Sequence, residues 1–380
     1  MKFVLAPDSF KESMTAKEAA DAMERGIKKV LPNAQCIKVP MADGGEGTVQ
    51  SLIDATCGEL VTVKTIAPLG NEIESSFGIL GDGKTAVIEM ASASGLHLVK
   101  KEDRNPLLTT TYGTGMLIKA ALDRGVDNIL IGIGGSATND GGAGMIQALG
   151  AKLLDNHGNE IPFGGGALNK LCKINLSNLH PALHHVKIEV ACDVTNPLIG
   201  KNGASHIFGP QKGATYEMVE TLDRNLAHYA NIIKESLKKD IANVPGAGAA
   251  GGLGAGLMAF LNANLKSGVE LVIKFTGLEE KIMVADYVFT GEGSIDSQTI
   301  SGKTPYGVSM VAKKFNIPVI AFAGRIGSGI EPLYDCGINS IVGILPGAMD
   351  LETALKEGMK NMEISAENVT RILKIVSNKK

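Results

Sequence analysis

Phe3-Val4-Leu5-Ala6-Pro7-Asp8-Ser9-Phe10-Lys11 opens the chain, and the reading of residues 3–39 decides the fold. The apolar run 3–6 is too short for a helix and is closed by Pro7, so it reads as a buried strand. Thr15, with Glu18 three residues on, forms a capping box, and Ala19, Met23, Ile27 and Val30 then recur at helical spacing. Pro32 and Asn33 stop that helix, and 36–39 is a second strand. The same alternation returns late in the chain. Runs 287–290, 319–323 and 341–345 read as buried strands, separated by helices such as 307–315. Continuous apolar strands joined by helices imply a parallel, doubly wound sheet.

Between these ends the pattern changes. Segments 61–66, 74–80 and 85–90 read as antiparallel strands, with Gly81-Asp82-Gly83 as a hairpin turn. A helix at 115–122 feeds a strand at 128–133, a second hairpin surrounds 155–158, and 187–191 is another strand. The expected architecture is therefore α/β. A discontinuous, doubly wound parallel-sheet domain of Rossmann or flavodoxin-like kind takes 1–64 and 283–380, and a mixed α/β domain, 65–282, is inserted in it. A length of 380 residues suits two such cores.

Composition excludes several function classes. A net charge of -3 and the lack of a Lys/Arg stripe argue against a nucleic-acid partner. No window approaches the apolar length that spans a membrane. The chain begins directly with a strand and shows no secretory leader. The five cysteines are widely spaced and form no C-x-x-C pair, as in a reduced, cytoplasmic protein. A homodimer is compatible with all of this.

Chemistry concentrates in segments that directly follow expected strands: Pro7 to Ser13, Ala42 to Thr48, Gly134 to Gly142, Cys192 to Pro197, Gly291 to Thr304, and Gly324-Arg325. Carboxyl ends of parallel strands are where α/β sheets bind ligands, so six such loops divided over two domains describe an interdomain cleft. Glycines let backbone N–H groups approach phosphate oxygens, carboxylates hold Mg2+, and an aspartate can take a hydroxyl proton. The same residues have plainer uses. Asp8, Asp43, Asp193 and Asp296 are also typical caps of helices and turns, and Arg325 suits an ordinary ion pair. Gly246-Ala247-Gly248-Ala249-Ala250-Gly251 fits G-x-G-x-x-G without a preceding strand, and Gly132, Gly134 and Ala137 fit a variant of it. These strings keep an NAD-linked dehydrogenase open as an alternative, beside a non-catalytic sensor of sugar acids. A Walker A loop ending at Gly302-Lys303-Thr304 would need glycine where Ser297 stands.

At these loops the chain resembles the bacterial glycerate kinase family associated with glucarate and glyoxylate breakdown. The resemblance rests on 6–11, 41–48, the string Gly134-Gly135-Ser136-Ala137-Thr138-Asn139-Asp140-Gly141-Gly142, and Thr290-Gly291-Glu292-Gly293. It implies ATP-dependent phosphorylation of D-glycerate, with the 2-phospho product favoured over the 3-phospho product. Residue type and position add roles. Gly134, Gly135, Ser136, Thr138, Asn139, Gly291, Gly293 and Lys303 are expected to bind ATP. Asp193 is the expected base, with Asp8 and Asp296 as further catalytic candidates. Arg325, Lys11 and Ser9 are placed on the substrate, and Asp43 with Glu46 on Mg2+.

Overall fold

Thr15 Oγ1 accepts the Glu18 backbone N–H at 3.2 Å while the Glu18 carboxylate accepts that of Thr15 at 2.8 Å. Helix Ala16–Val30 runs from this reciprocal cap in the computed structural model, which describes residues 1–377. Its Ala19, Met23 and Ile27 are buried, as their spacing requires. Among the described residues the strands are β1 (Lys2–Pro7), β2 (Gln35–Lys38), β3 (Glu59–Ile66), β4 (Glu72–Ile79), β5 (Thr85–Glu89), β6 (Asn128–Gly132), β7 (Lys152–Leu154), β8 (Lys173–Asn175), β9 (Lys187–Ala191), β10 (Asn264–Lys266), β11 (Tyr287–Ile295), β12 (Val319–Ile326) and β13 (Ile338–Gly343). They divide between two units. One takes Met1–Asp43, Gln50–Cys57 and the chain from Gly268 onward; the other takes Gly44–Val49 and Gly58–Ser267.

The first unit is built on a parallel sheet in the order β13-β12-β11-β1-β2. Counted within the unit this is a doubly wound order whose direction reverses between β1 and β11, the position where such sheets bind ligands. Phe3, Leu5, Phe289 and Phe322 fill one face with Met23 and Ile27, and Phe289 lies 5.1 Å from Phe322 between ring centroids. Helix Gly358–Ser377 returns along Ala16–Val30, where Glu363 pairs with Arg25 and Lys29.

The second unit carries a sheet in the order β10-β9-β6-β5-β4-β3, with β3, β4 and β5 antiparallel and β5, β6, β9 and β10 parallel. The hairpin turn at 81–83 forms as expected, and Asp82 accepts the Lys84 and Thr85 backbone N–H groups. The chain also turns at 155–159, but the strand paired with β7 is the later β8. Helix Tyr216–Leu237 buries Leu222, Leu226, Tyr229 and Ile233 in this core.

Three boundaries differ from the sequence expectation. The limit at 64 cuts through β3, whose full length pairs with β4 in the second unit's sheet. Helices Gly268–Thr276 and Leu278–Met283, expected in the insertion, belong to the first unit because Val269 seats against helix Thr304–Lys314, so close to Gly307 that an added Cβ would lie 2.4 Å from it. Lastly, β11 and β12 continue through Gly291 to Ile295 and through Gly324 to Ile326, where loops were expected. Glycine is unusual in strands, but here it is demanded: a Cβ on Gly291 would lie 2.3 Å from the Phe322 carbonyl oxygen.

Candidate active site

In the first unit the expected polar residues gather at the carboxyl ends of β1 and β11, on either side of the sheet's reversal point. Asp8 follows β1, and its N–H reaches the Gly291 carbonyl at 2.8 Å. One Asp8 oxygen accepts the Ser9 N–H at 2.6 Å, and the other accepts the hydroxyl of Thr304. Thr304 opens helix Thr304–Lys314, whose N-terminus favours negative charge nearby. Burial, reinforced by the charges of Asp43 and Glu292, pushes the Asp8 carboxyl up to about 7 against the bonds from Thr304 and Ser9. Glu292 is likewise raised by burial and by Asp43, while it accepts the Thr299 hydroxyl at 2.8 Å and pairs with Lys303 at 3.5 Å. Lys11 follows β1, its backbone nitrogen 3.6 Å from where a Cβ on Gly293 would stand, and Arg325 is in register with Ser294. Both side chains are exposed, and among the described residues neither makes a hydrogen bond or an ion pair. The carboxylates of Asp8, Asp43 and Glu292 act on one another and Lys303 pairs with Glu292, an arrangement suited to handling a cation and a proton.

The second unit has its own cluster at the ends of β5, β6 and β9. Gly134 and Gly135 leave β6 exposed. A Cβ on Gly134 would meet only the Gly45 Cα, at 4.0 Å, so the position has room for one. Gly135 has φ of 72°, a left-handed conformation that favours glycine. Beyond it the side chains turn inward. Thr138, Asn139 and Asp140 are 0% exposed. Asp140 accepts the Thr111, Gly142 and Gly144 backbone N–H groups and the Thr111 hydroxyl, and Asn139 donates to Ser205. Thr138 and Asn139 thus support the loop and present no side chain to a ligand, and Ser136 is largely buried too. Glu89, at the end of β5, accepts the Val49 N–H at 2.9 Å. Burial raises its carboxyl, with Glu46 adding to the shift and the Gly47 and Thr48 N–H groups opposing it. The amides that begin helix Thr48–Thr56 are therefore occupied by a protein carboxylate.

The expected pair for Mg2+ falls in different units: Asp43 acts on Asp8 and Glu292, whereas Glu46 acts on Glu89. No group of three or more His, Cys, Asp and Glu among the described residues is arranged as a metal site. Mg2+ needs no such cage, because it is held by one or two carboxylates and completes its shell with water and phosphate oxygens. Asp43 and Glu292, which act on each other through their charges, are two carboxylates of that kind.

Of the three aspartates considered for catalysis, Asp296 accepts the Gln298 N–H at 2.9 Å in a tight turn, as a cap does. Asp193 lies exposed beyond β9, and Asn196 nearby donates to the Asn202 carbonyl. Glu292, Thr304 and Glu89 were not anticipated; Glu292 was legible, since it stands inside the Gly291-Glu292-Gly293 string. Neither glycine string forms a dinucleotide turn. A Cβ on Gly251 would lie 1.9 Å from the Thr138 carbonyl oxygen and one on Gly132 would lie 2.9 Å from that of Gly44, so both glycines serve backbone packing.

A sequence profile described as the glycerate kinase family matches residues 3–374. The chain is 56% identical over 366 residues to a glycerate kinase of Halalkalibacterium halodurans, covering 96% of each. It is 55% identical over 375 residues to a glycerate 2-kinase of Escherichia coli, covering 99% of this chain and 98% of that one. The crystal structure of a candidate glycerate kinase 2 from Salmonella typhimurium superposes with a TM-score of 0.91, at 50% identity and 99% coverage of both chains. Among the described residues no helix is long and apolar enough to cross a membrane.

Proposed function

The chain belongs to the glycerate kinase family, and from that premise we propose that it transfers the γ-phosphoryl group of ATP to the 2-hydroxyl of D-glycerate. The observation that carries the residue assignment is Asp8, pushed up to about 7 at the reversal point of a doubly wound sheet. A base poised near neutral pH is well matched to accepting a hydroxyl proton. Thr304 and Ser9 fix both of its oxygens.

In the reaction the glycerate hydroxyl oxygen bonds to the γ-phosphorus, the bond from that phosphorus to the bridging oxygen breaks, and ADP leaves with the electron pair. Asp8 takes the hydroxyl proton. Because phosphoryl transfer is largely dissociative, its main duty is to orient the nucleophile. Arg325, a planar fork at a strand end, takes the glycerate carboxylate, with Lys11 beside it. Lys303, which Glu292 holds at 3.5 Å, neutralises charge on the transferred group. Asp43 and Glu292 would hold Mg2+, which supplies charge neutralisation on phosphate oxygens. In the second unit the bare backbone of Gly134 and Gly135 takes phosphates of ATP. Asp193, exposed at the end of β9, is left as the alternative base.

The 2-hydroxyl is chosen because a relative at 55% identity is a glycerate 2-kinase. ATP as co-substrate suits a cytoplasmic setting. Phosphorus NMR of a reaction with ATP, Mg2+ and D-glycerate should show 2-phosphoglycerate and ADP rising together. A 3-phosphoglycerate signal would refute the regiochemistry, and ATP left intact would refute the activity.

A further inference from the structure

Lysine is almost never wholly buried, because desolvating an ammonium is costly unless it is well partnered. Lys212 is 1% exposed. It sits in the turn Pro210–Lys212, begun by proline and closed by Gly213 at a left-handed φ of 91°. A Cβ on that glycine would lie 2.4 Å from the Arg104 carbonyl oxygen, so the segment has one seat. The Lys212 Nζ donates to Ser136 Oγ at 2.7 Å and to the Thr138 carbonyl at 2.6 Å. No carboxylate stands within ion-pair distance of it among the described residues, and Asp140 acts on it only from further off. Burial accordingly pulls its amine down to about 7. The ammonium is held by the loop and holds the loop in return.

Further along, the loop is tied down through Asp140 and by the Ala137 N–H on the Ser94 carbonyl at 2.9 Å, but two of its side-chain oxygens are not. Thr138 Oγ1 and Asn139 Oδ1 are buried without a hydrogen-bond partner. Buried groups left unpaired in a native structure call for an explanation, and here the shape of the stretch rests partly on donors from outside it. Neutral donors help: the Leu96 N–H reaches the Gly135 carbonyl at 2.8 Å and the Thr109 hydroxyl reaches that of Ala137 at 2.9 Å. Lys212 is the cationic donor on this stretch, and its two acceptors bracket Ala137 immediately after the exposed Gly134 and Gly135.

We propose that Lys212 is a positioning residue for the nucleotide: by gripping Ser136 and Thr138 it sets the backbone of Gly134 and Gly135 in the conformation that receives phosphate. It touches no ATP itself. The inference rests on the reading of Gly134 and Gly135 as a phosphate-binding turn. Losing hydrogen bonds from a charged donor is costly, so Lys212→Met should weaken ATP binding, read by calorimetry and as KM, about tenfold or more. The glycerate KM should stay within about twofold, and kcat at saturating ATP within about threefold, as expected when one ligand's binding alone is lost. Lys212→Gln, which keeps a donor, should fall between Met and wild type, and it carries the test if Lys212→Met does not fold. A lower melting temperature with unchanged ATP affinity in either folded variant would overturn the inference and leave Lys212 a structural residue. Gly134→Val separates the two levels. If it binds ATP like wild type, the phosphate-turn reading fails; if it loses ATP while the Lys212 variants keep it, Lys212 alone fails.

Discussion

Both units place glycine-rich segments after parallel strands, yet they offer a ligand different things. In the first unit the polar side chains stay at least partly accessible: Lys11 and Arg325 are exposed, and Asp8, Glu292 and Lys303 are half-buried, the two carboxyls raised by that burial. In the second the backbone of Gly134 and Gly135 is exposed, while Thr138, Asn139 and Asp140 are sealed at 0%. Residue type alone does not separate these cases. A polar side chain in a glycine-rich loop either acts on the ligand or holds the main chain that does, and burial decides which. Under the proposed function, proton and charge chemistry would fall to residues of the first unit, and phosphate recognition by main chain to Gly134 and Gly135 of the second.

The largest effect should come from Asp8→Asn, which is nearly isosteric and cannot take the proton. Losing a general base costs about 10²–10⁴-fold in kcat. The same variant should not melt earlier. The folded Asp8 keeps its proton up to about 7, whereas in the unfolded chain it ionises near 3.8. The group therefore opposes folding increasingly as pH climbs across that window, and the loss levels off above it. Asp8→Asn should match or exceed wild type in melting temperature at pH 8 and lose that advantage at pH 4. A variant destabilised at pH 8 would assign Asp8 to structure.

Gly134→Val comes next. An added Cβ there meets nothing closer than the Gly45 Cα at 4.0 Å, so ATP affinity should collapse while the melting temperature holds. Gly135→Val is the poorer probe, since its left-handed φ adds strain of about 1–2 kcal/mol whatever binds. Arg325→Lys should raise the glycerate KM about tenfold through loss of bidentate geometry, with the ATP KM unmoved; an unchanged glycerate KM would remove Arg325 from the substrate. The smallest effect belongs to Asp296→Ala. As a turn cap it should cost about 1 kcal/mol of stability and leave kcat alone, and a kcat loss beyond about tenfold would return it to the catalytic set.

Much of this is legible in the amino-acid sequence. The capping box at Thr15 and the apolar runs at 3–6, 287–290 and 319–323 specify strands and a helix through local chemistry, and these form. The unit boundaries were not legible. Whether 59–66 pairs with β4 or joins the first unit's sheet depends on a partner in space, and nothing inside the segment names it. The helix Tyr216–Leu237 was readable from Val219, Leu222, Leu226, Tyr229 and Ile233 but is not among the elements expected above. At the site, Asp8, Lys303 and Arg325 came from residue type at strand ends. Glu292 was overlooked because glycines on both sides suggested a loop, when close strand approach was the reason for them. Lys212 had no visible signal, since a lysine between Pro210 and Gly213 looks like any solvated turn.

The division of labour between the units is tested most directly by the pH dependence of kcat for wild type, Asp8→Asn and Asp193→Asn, measured in parallel. Wild-type turnover should rise with pH as Asp8 ionises, at or below about 7 because Mg2+ on Asp43 and Glu292 would offset the charges that raise it, and then level. Asp193→Asn should keep that rise and most of its rate, while Asp8→Asn loses both. An Asp8→Asn enzyme within about threefold of wild type, beside an Asp193→Asn enzyme that has lost its turnover, would move the proton chemistry to the second unit and contradict the assignment.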